Sequence, residues 1–175
     1  MIHRGSNVVN FAHGAFAAVA AYLYWWLAVR NGWGWLLAAI VAVAVAALLG
    51  VLVNLAVMRP MRLSSPLTRT IATLGVLIVV QAVLGIITPP EVLSVPSFLP
   101  VAALRVGSIS LGYDRMIISL VSVVVCLVLI RVSRATRFGL ATTAAAENRR
   151  SAAALGISPD RIATLNWAIG SGLAG

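Results

Sequence analysis

The sequence predicts an all-α membrane protein: a polytopic transmembrane helix bundle of about four spans plus the start of a fifth, with a short helix on its basic side. Three observations predict it. The chain has 175 residues, 61% of them hydrophobic and 10% charged, with a mean hydropathy of +1.03. A soluble domain needs far more charge to cover its surface. Apolar runs close to membrane-spanning length alternate with short breaks rich in Arg, Pro and Gly. One polar, Arg-bearing island, from Arg137 to Arg161, falls between two such runs and carries start and stop signals for a helix of its own.

The apolar runs are Val8 to Val29, Trp35 to Met58, Thr70 to Thr88 and Met116 to Val132, and Ile162 to Gly175 begins the next. Each complete run approaches the roughly 20 residues that cross a hydrocarbon core. Arg30-Asn31-Gly32 reads as a tight turn, Arg59-Pro60 stops the second helix and Thr88-Pro89-Pro90 stops the third. Residues 89–115 read as an external loop, with Pro96, Pro100, Gly107 and Gly112 and an alternating stretch from Leu104 to Leu111 that fits a small hairpin. The last run has about fourteen residues, which reach about 21 Å as a helix, so the chain is expected to be a fragment.

The net charge of +9 comes from 13 basic residues, all arginine, against four acids. The arginines flank apolar runs, so membrane topology and lipid headgroups account for them and nucleic acid is not an expected partner. If every run spans, one side holds Arg4, Arg59, Arg62, Arg69, Arg131, Arg134, Arg137, Arg149, Arg150 and Arg161, and the other holds Arg30, Arg105 and Arg115. By the positive-inside rule that places residues 133–161 in the cytoplasm and the Pro-rich loop outside.

Small residues pattern the helices. Ala42, Ala46, Gly50 and Asn54 recur every four residues in the second run, a stripe that admits a close neighbour. The first run has a comparable stripe at Gly14, Ala18 and Ala17, Ala21. Thr70, Thr73, Leu77 and Gln81 share a face of the third run, and Ser119, Ser122 and Cys126 one of the fourth. Polar atoms in hydrocarbon are costly unless paired or hydrated, so these faces are expected to point into a bundle. They serve either as glue between helices or as the lining of a path for a small polar solute. Asn10 and His13, three residues apart at the start of the first run, are either a functional polar pair or interfacial residues that staple a neighbour. Asn10, His13, Thr73 and Gln81 are therefore the candidate path residues.

The chemistry of enzymes is missing from the pattern. There is no phosphate-binding Gly-rich loop, no G-x-S-x-G and no paired carboxylates within a run, since Glu91, Asp114, Glu147 and Asp160 all fall between runs. No His, Cys and carboxylate set has metal-ligand spacing, so neither a metal nor another cofactor is expected. Cys126 lacks a disulfide partner in this sequence. In the island, Asn148 suits a helix N-cap and Gly156 a left-handed C-terminal stop followed by apolar Ile157, with about two turns between them. Ser158-Pro159-Asp160 then restarts the chain as N-cap, N1 proline and first-turn acid. So short a helix needs something to pack on. Either it rests on the bilayer surface or it docks a soluble partner, and docking points to a transport subunit driven from outside itself.

Several of these residues carry a family resemblance. Val9-Asn10-Phe11-Ala12-His13-Gly14 resembles the INFAHG signature of the branched-chain amino acid permeases of ABC importers. Arg59-Pro60, Ser65-Pro66-Leu67 and Ile71-Ala72-Thr73-Leu74-Gly75 resemble that family's RPLR…SPL…IATLG segment. Thr136-Arg137-Phe138-Gly139 and Ala146-Glu147-Asn148 through Gly156-Ile157 resemble its T-R-x-G and AENxxAAxxxGI loop. The matches run in order over nearly the whole chain, and NFAHG favours the shorter of the two paralogous permease types.

The resemblance implies a single inner-membrane permease domain over residues 1–175, incomplete at both ends, since family members carry a further helix before NFAHG and several after the loop. It implies that the 133–161 loop couples to a cytoplasmic ATPase through Glu147, Asn148, Arg149, Arg150, Ala153 and Gly156. It further implies a paralogous permease, ATPase subunits that consume the ATP, an external solute-binding protein, and branched-chain or related small amino acids as cargo. Thr142-Thr143 and the doubled Arg149-Arg150 depart from the family pattern. On residue pattern alone, an ATP-independent channel or carrier and a nonfunctional truncated permease stay open.

Overall fold

The computed structural model of the chain describes residues 10–88, 95, 103–106 and 109–175. They form α1 (His13–Trp25), α2 (Trp35–Val53), α3 (Pro66–Ile87), a hairpin of β1 (Ala103–Val106) and β2 (Ile109–Gly112), then α4 (Tyr113–Ala135), α5 (Arg137–Glu147), α6 (Arg149–Ala154) and α7 (Pro159–Gly172). The protein is thus an all-α polytopic membrane protein with one small hairpin. Three helices, Trp35–Met58, Pro66–Ile87 and Tyr113–Ala135, are long and apolar enough to span, with 24, 22 and 23 residues. At 1.5 Å per residue they reach about 33 to 36 Å, against a core of about 30 Å. The helix begun by α1 runs on to Arg30, carries His13 and Arg30 at its ends and is not among these three. Val8 and Val9 of the expected first run lie outside the described residues.

Local chemistry sets the boundaries. α1 and α2 each end in a π turn, Trp26–Arg30 and Asn54–Met58, in which Asn31 N donates to Trp26 O at 3.1 Å and Arg59 N to Asn54 O at 2.8 Å. Pro60, lacking an N–H, then opens a 3-10 turn over Pro60–Leu63. Ser65 caps α3 by accepting from Thr68 N at 3.1 Å, with Pro66 preset for the first helical position.

The described residues fall into two compact units. In the first (Met1–Leu93 and Ala141–Gly175), α2 packs on α1 and α7. Its buried stripe is Ala38, Ala42, Ala46 and Gly50, continued by Asn54, as the four-residue spacing predicts. A Cβ on Gly50 would overlap the Ser171 side chain, and one on Gly172 would stand 3.3 Å from Ala47 Cβ. At the end of the stripe Asn54 Nδ2 donates to Thr164 Oγ1 at 2.9 Å. On α1 the buried residues are Ala15, Phe16 and Ala20, while Gly14 and Ala21 are exposed. The expected Gly14/Ala18 stripe gives way because Phe16, the largest of the buried side chains on α1, takes the core position, packed with Ala12, Met58 and Trp167.

In the second unit (Ser94–Leu140) the hairpin is antiparallel, with Ala103 opposite Gly112 and Val106 opposite Ile109, over the alternating stretch singled out in the sequence. α4 buries none of its residues, and Cys126 is exposed. Ser122 Oγ donates to Ile118 O of its own helix at 2.8 Å, so this hydroxyl is satisfied without the bundle partner expected for its face. Thr136 closes α4 and opens α5: its Oγ1 donates to Val132 O at 2.6 Å and accepts from Gly139 N at 3.2 Å. A Cβ on Gly139 would overlap the Ser133 backbone, which explains glycine three residues after Thr136.

Candidate functional site

The island holds two helices, α5 and α6, where the sequence signals mark one. The Ala-rich run before Asn148 has the propensity to continue a helix, and α5 uses it. Asn148 separates the two as an N-cap in extended geometry (φ −150°, ψ 102°), its Oδ1 accepting from Arg150 N and Ser151 N at 3.0 Å each. At the other end Gly156 adopts φ +79°. Gly156 N donates to Ala153 O at 3.0 Å and Ile157 N to Ala152 O at 3.1 Å, the paired bonds of a Schellman stop. Asn148 and Gly156 therefore do what the sequence assigns them: they delimit a six-residue helix.

α6 turns one residue inward. Ala152 is buried, whereas Ser151, Ala153, Ala154 and Leu155 are exposed, Leu155 to 78%. Glu147, Arg149 and Arg150 are exposed as well. Ala153 and Leu155 thus give α6 a small apolar outer face, flanked by charge. Arg149 and Arg150 stand at the positive end of the helix dipole, an unfavourable place for cations.

The structure supplies a compensating charge at Asp160, which the sequence marks only as a first-turn acid. Asp160 Oδ1 accepts from Arg149 Nη2 at 2.6 Å, and Oδ2 accepts from Arg62 Nη1 at 3.5 Å and lies 4.0 Å from Arg59 Nε. These groups are partly exposed, so each pair contributes on the order of 0.2–1 kcal/mol after solvent screening. Asp160 also sits in the first turn of α7, behind Pro159, where negative charge suits the dipole.

Of the candidate path residues, the structure brings two together. Asn10 Oδ1 accepts from Ala12 N at 3.0 Å, and Thr73 Oγ1, fully buried, accepts from the intervening Phe11 N at 3.1 Å and donates to Thr70 O at 2.7 Å. The NFAHG and IATLG segments therefore meet at one hydroxyl. Asn10 Nδ2 is buried with no hydrogen-bond partner among the described residues. His13 is exposed, and Gln81 is exposed on α3 about 12 Å along the axis from Thr73. Neither takes part in the bonds by which Thr73 and Asn10 hold the Phe11–Ala12 backbone. A further buried amide, Asn166, was not singled out in the sequence. Its Nδ2 donates to Thr142 Oγ1 at 3.3 Å, and its Oδ1 has no partner among the described residues. An amide inside the final apolar run was the available signal.

Fold and site together define a helical membrane protein whose basic loop presents a capped surface helix. Over residues 1–175 the chain matches the family described as "Branched-chain amino acid transport system / permease component", and it belongs to that family. It is 27% identical over 186 residues to the high-affinity branched-chain amino acid transport system permease protein LivH of Escherichia coli. To the protein of the same name from Salmonella typhimurium it is 28% identical over 186 residues. Each alignment covers 99% of this chain and 60% of the relative, so the chain spans about three fifths of the length of these curated relatives. No solved structure matches it.

Proposed function

We propose that this chain forms part of the permease of an ABC importer that carries branched-chain or related small amino acids across the bacterial inner membrane. The supporting observation is α6. It is closed at its start by the Asn148 side chain and at its end by backbone bonds, leaves Ala153 and the following Leu155 exposed, and leads within four residues into α7, which lies along the small-residue stripe of α2. A rigid element joined so directly to a membrane helix can pass the closure of a soluble partner inward as rigid-body movement.

In this reading the basic loops face the cytoplasm, and Glu147, Asn148, Arg149, Arg150, Ala153 and Gly156 build the surface that meets an ATPase subunit. Ala153 lies on the outer face; Asn148 and Gly156 hold the helix; Arg149 is tied back to Asp160. A paralogous permease and an external solute-binding protein complete the assembly, and all ATP chemistry resides in the partner. The Phe11–Ala12 backbone held by Thr73 and Asn10, where the Asn10 amide donor has no partner among the described residues, is the most suitable polar point for a path.

The test is ATP-dependent leucine uptake by the complete transporter carrying Gly156→Val. A β-branched residue in left-handed geometry is strained by about 1–2 kcal/mol, so uptake is expected to fall about tenfold while membrane insertion is retained. Parent-level uptake by that variant would overturn the docking role of α6. Flux that persists without ATP or an ATPase would replace the importer with a passive channel or carrier.

A further inference from the structure

α6 has little to orient it. Ala152 is its one buried residue, and its caps fix where the helix starts and stops but not the direction in which it points. What ties it to the rest of the first unit is Asp160. That carboxylate receives Arg149 from the first residue of α6, and Arg62 and Arg59 from the 3-10 turn and the residue before it. Three segments, two of them separated by 98 residues along the chain, therefore share one counter-charge. Without it, three guanidinium groups would be left as uncompensated neighbours that repel one another.

We infer that Asp160 is a positioning residue: it fixes the direction of α6 relative to the start of α7 and the turn that ends α2. Its consequence for transport rests on the reading of α6 as the docking element. A displaced α6 then moves the ends of two membrane helices together, because both are held to the same carboxylate. Arg149 accordingly works inward, as a tether, while Arg150 and the apolar outer face remain for the partner.

The experiment is hydrogen–deuterium exchange of the full chain in lipid nanodiscs, read on the peptide covering 149–156. Asp160→Asn is expected to speed exchange there roughly fivefold, with α2 and α7 peptides unchanged as the control for folding. Asp160→Glu, which keeps the charge, is expected to exchange like the parent. Arg149→Gln is expected to reproduce part of the effect and to add nothing to Asp160→Asn. Unchanged exchange in Asp160→Asn, or fully additive effects of the two substitutions, would overturn the proposal. The second readout is amino acid uptake per ATP hydrolysed by the complete transporter, expected to fall in Asp160→Asn and to recover in Asp160→Glu. If exchange responds and this ratio does not, Asp160 still positions α6, and it is the docking role of α6 that fails.

Discussion

At Asn148 the backbone is extended and at Gly156 it is left-handed, and between them six residues hold a helix that could not persist alone in water. Both positions were readable from the sequence because capping is local: the donors Asn148 accepts lie two and three residues away. The arginines on Asp160 were not readable, since which cations reach that carboxylate, Arg149 from 11 residues away and Arg62 from 98, depends on tertiary packing. Asn148→Ala removes an acceptor for two N–H groups and is expected to destabilise α6 by about 1 kcal/mol, with Asn148→Ser close to neutral. Amide exchange over residues 149–155 measures both, and equal exchange in the alanine variant would show that the cap does not hold the helix.

Among the elements, the crossing of α2 and α7 is the one most exposed to substitution. Gly50 faces Ser171, and Gly172 faces Ala47, so the helices meet where side chains are smallest. Gly50→Val is expected to cost about 1–3 kcal/mol through overpacking and to lower the thermal midpoint in detergent. Gly85→Ala, on a part of α3 with nothing within 4 Å, is expected to leave that midpoint unchanged or slightly raised. If both variants melted alike, the close crossing would not be a determinant of stability. The α2 stripe was legible because its period matches one helix face. The buried side of α1 was not, because nearly every residue there is small and only the partners of Phe16 select a side.

For the molecule as a whole, the arginine distribution carries a prediction about sidedness. With Cys126 replaced by alanine, a single cysteine at Ser97 is expected to react with an impermeant thiol reagent from the outside, and one at Leu155 only once the cytoplasmic side is opened. Reaction of both from the same side would reverse or abolish the expected orientation. The polytopic class was legible from apolar length alone, and the hairpin from its alternation. The first of the two helices in the arginine-bearing island, α5, was less so, because the start and stop signals read there, Asn148 and Gly156, delimit only α6.

The joint between α6 and α7 is governed by counting. Leu155, Gly156, Ile157 and Ser158 are all that separates the two helices. The Schellman bonds on one side and the Arg149–Asp160 contact on the other close a ring around those four residues. One additional residue would add up to about 3.3–3.6 Å of chain and turn Asp160 away from its place opposite Arg149. The joint is therefore constrained in the number of its residues more tightly than in most of their identities. At this one place, an insertion is a graver change than an exchange of side chains.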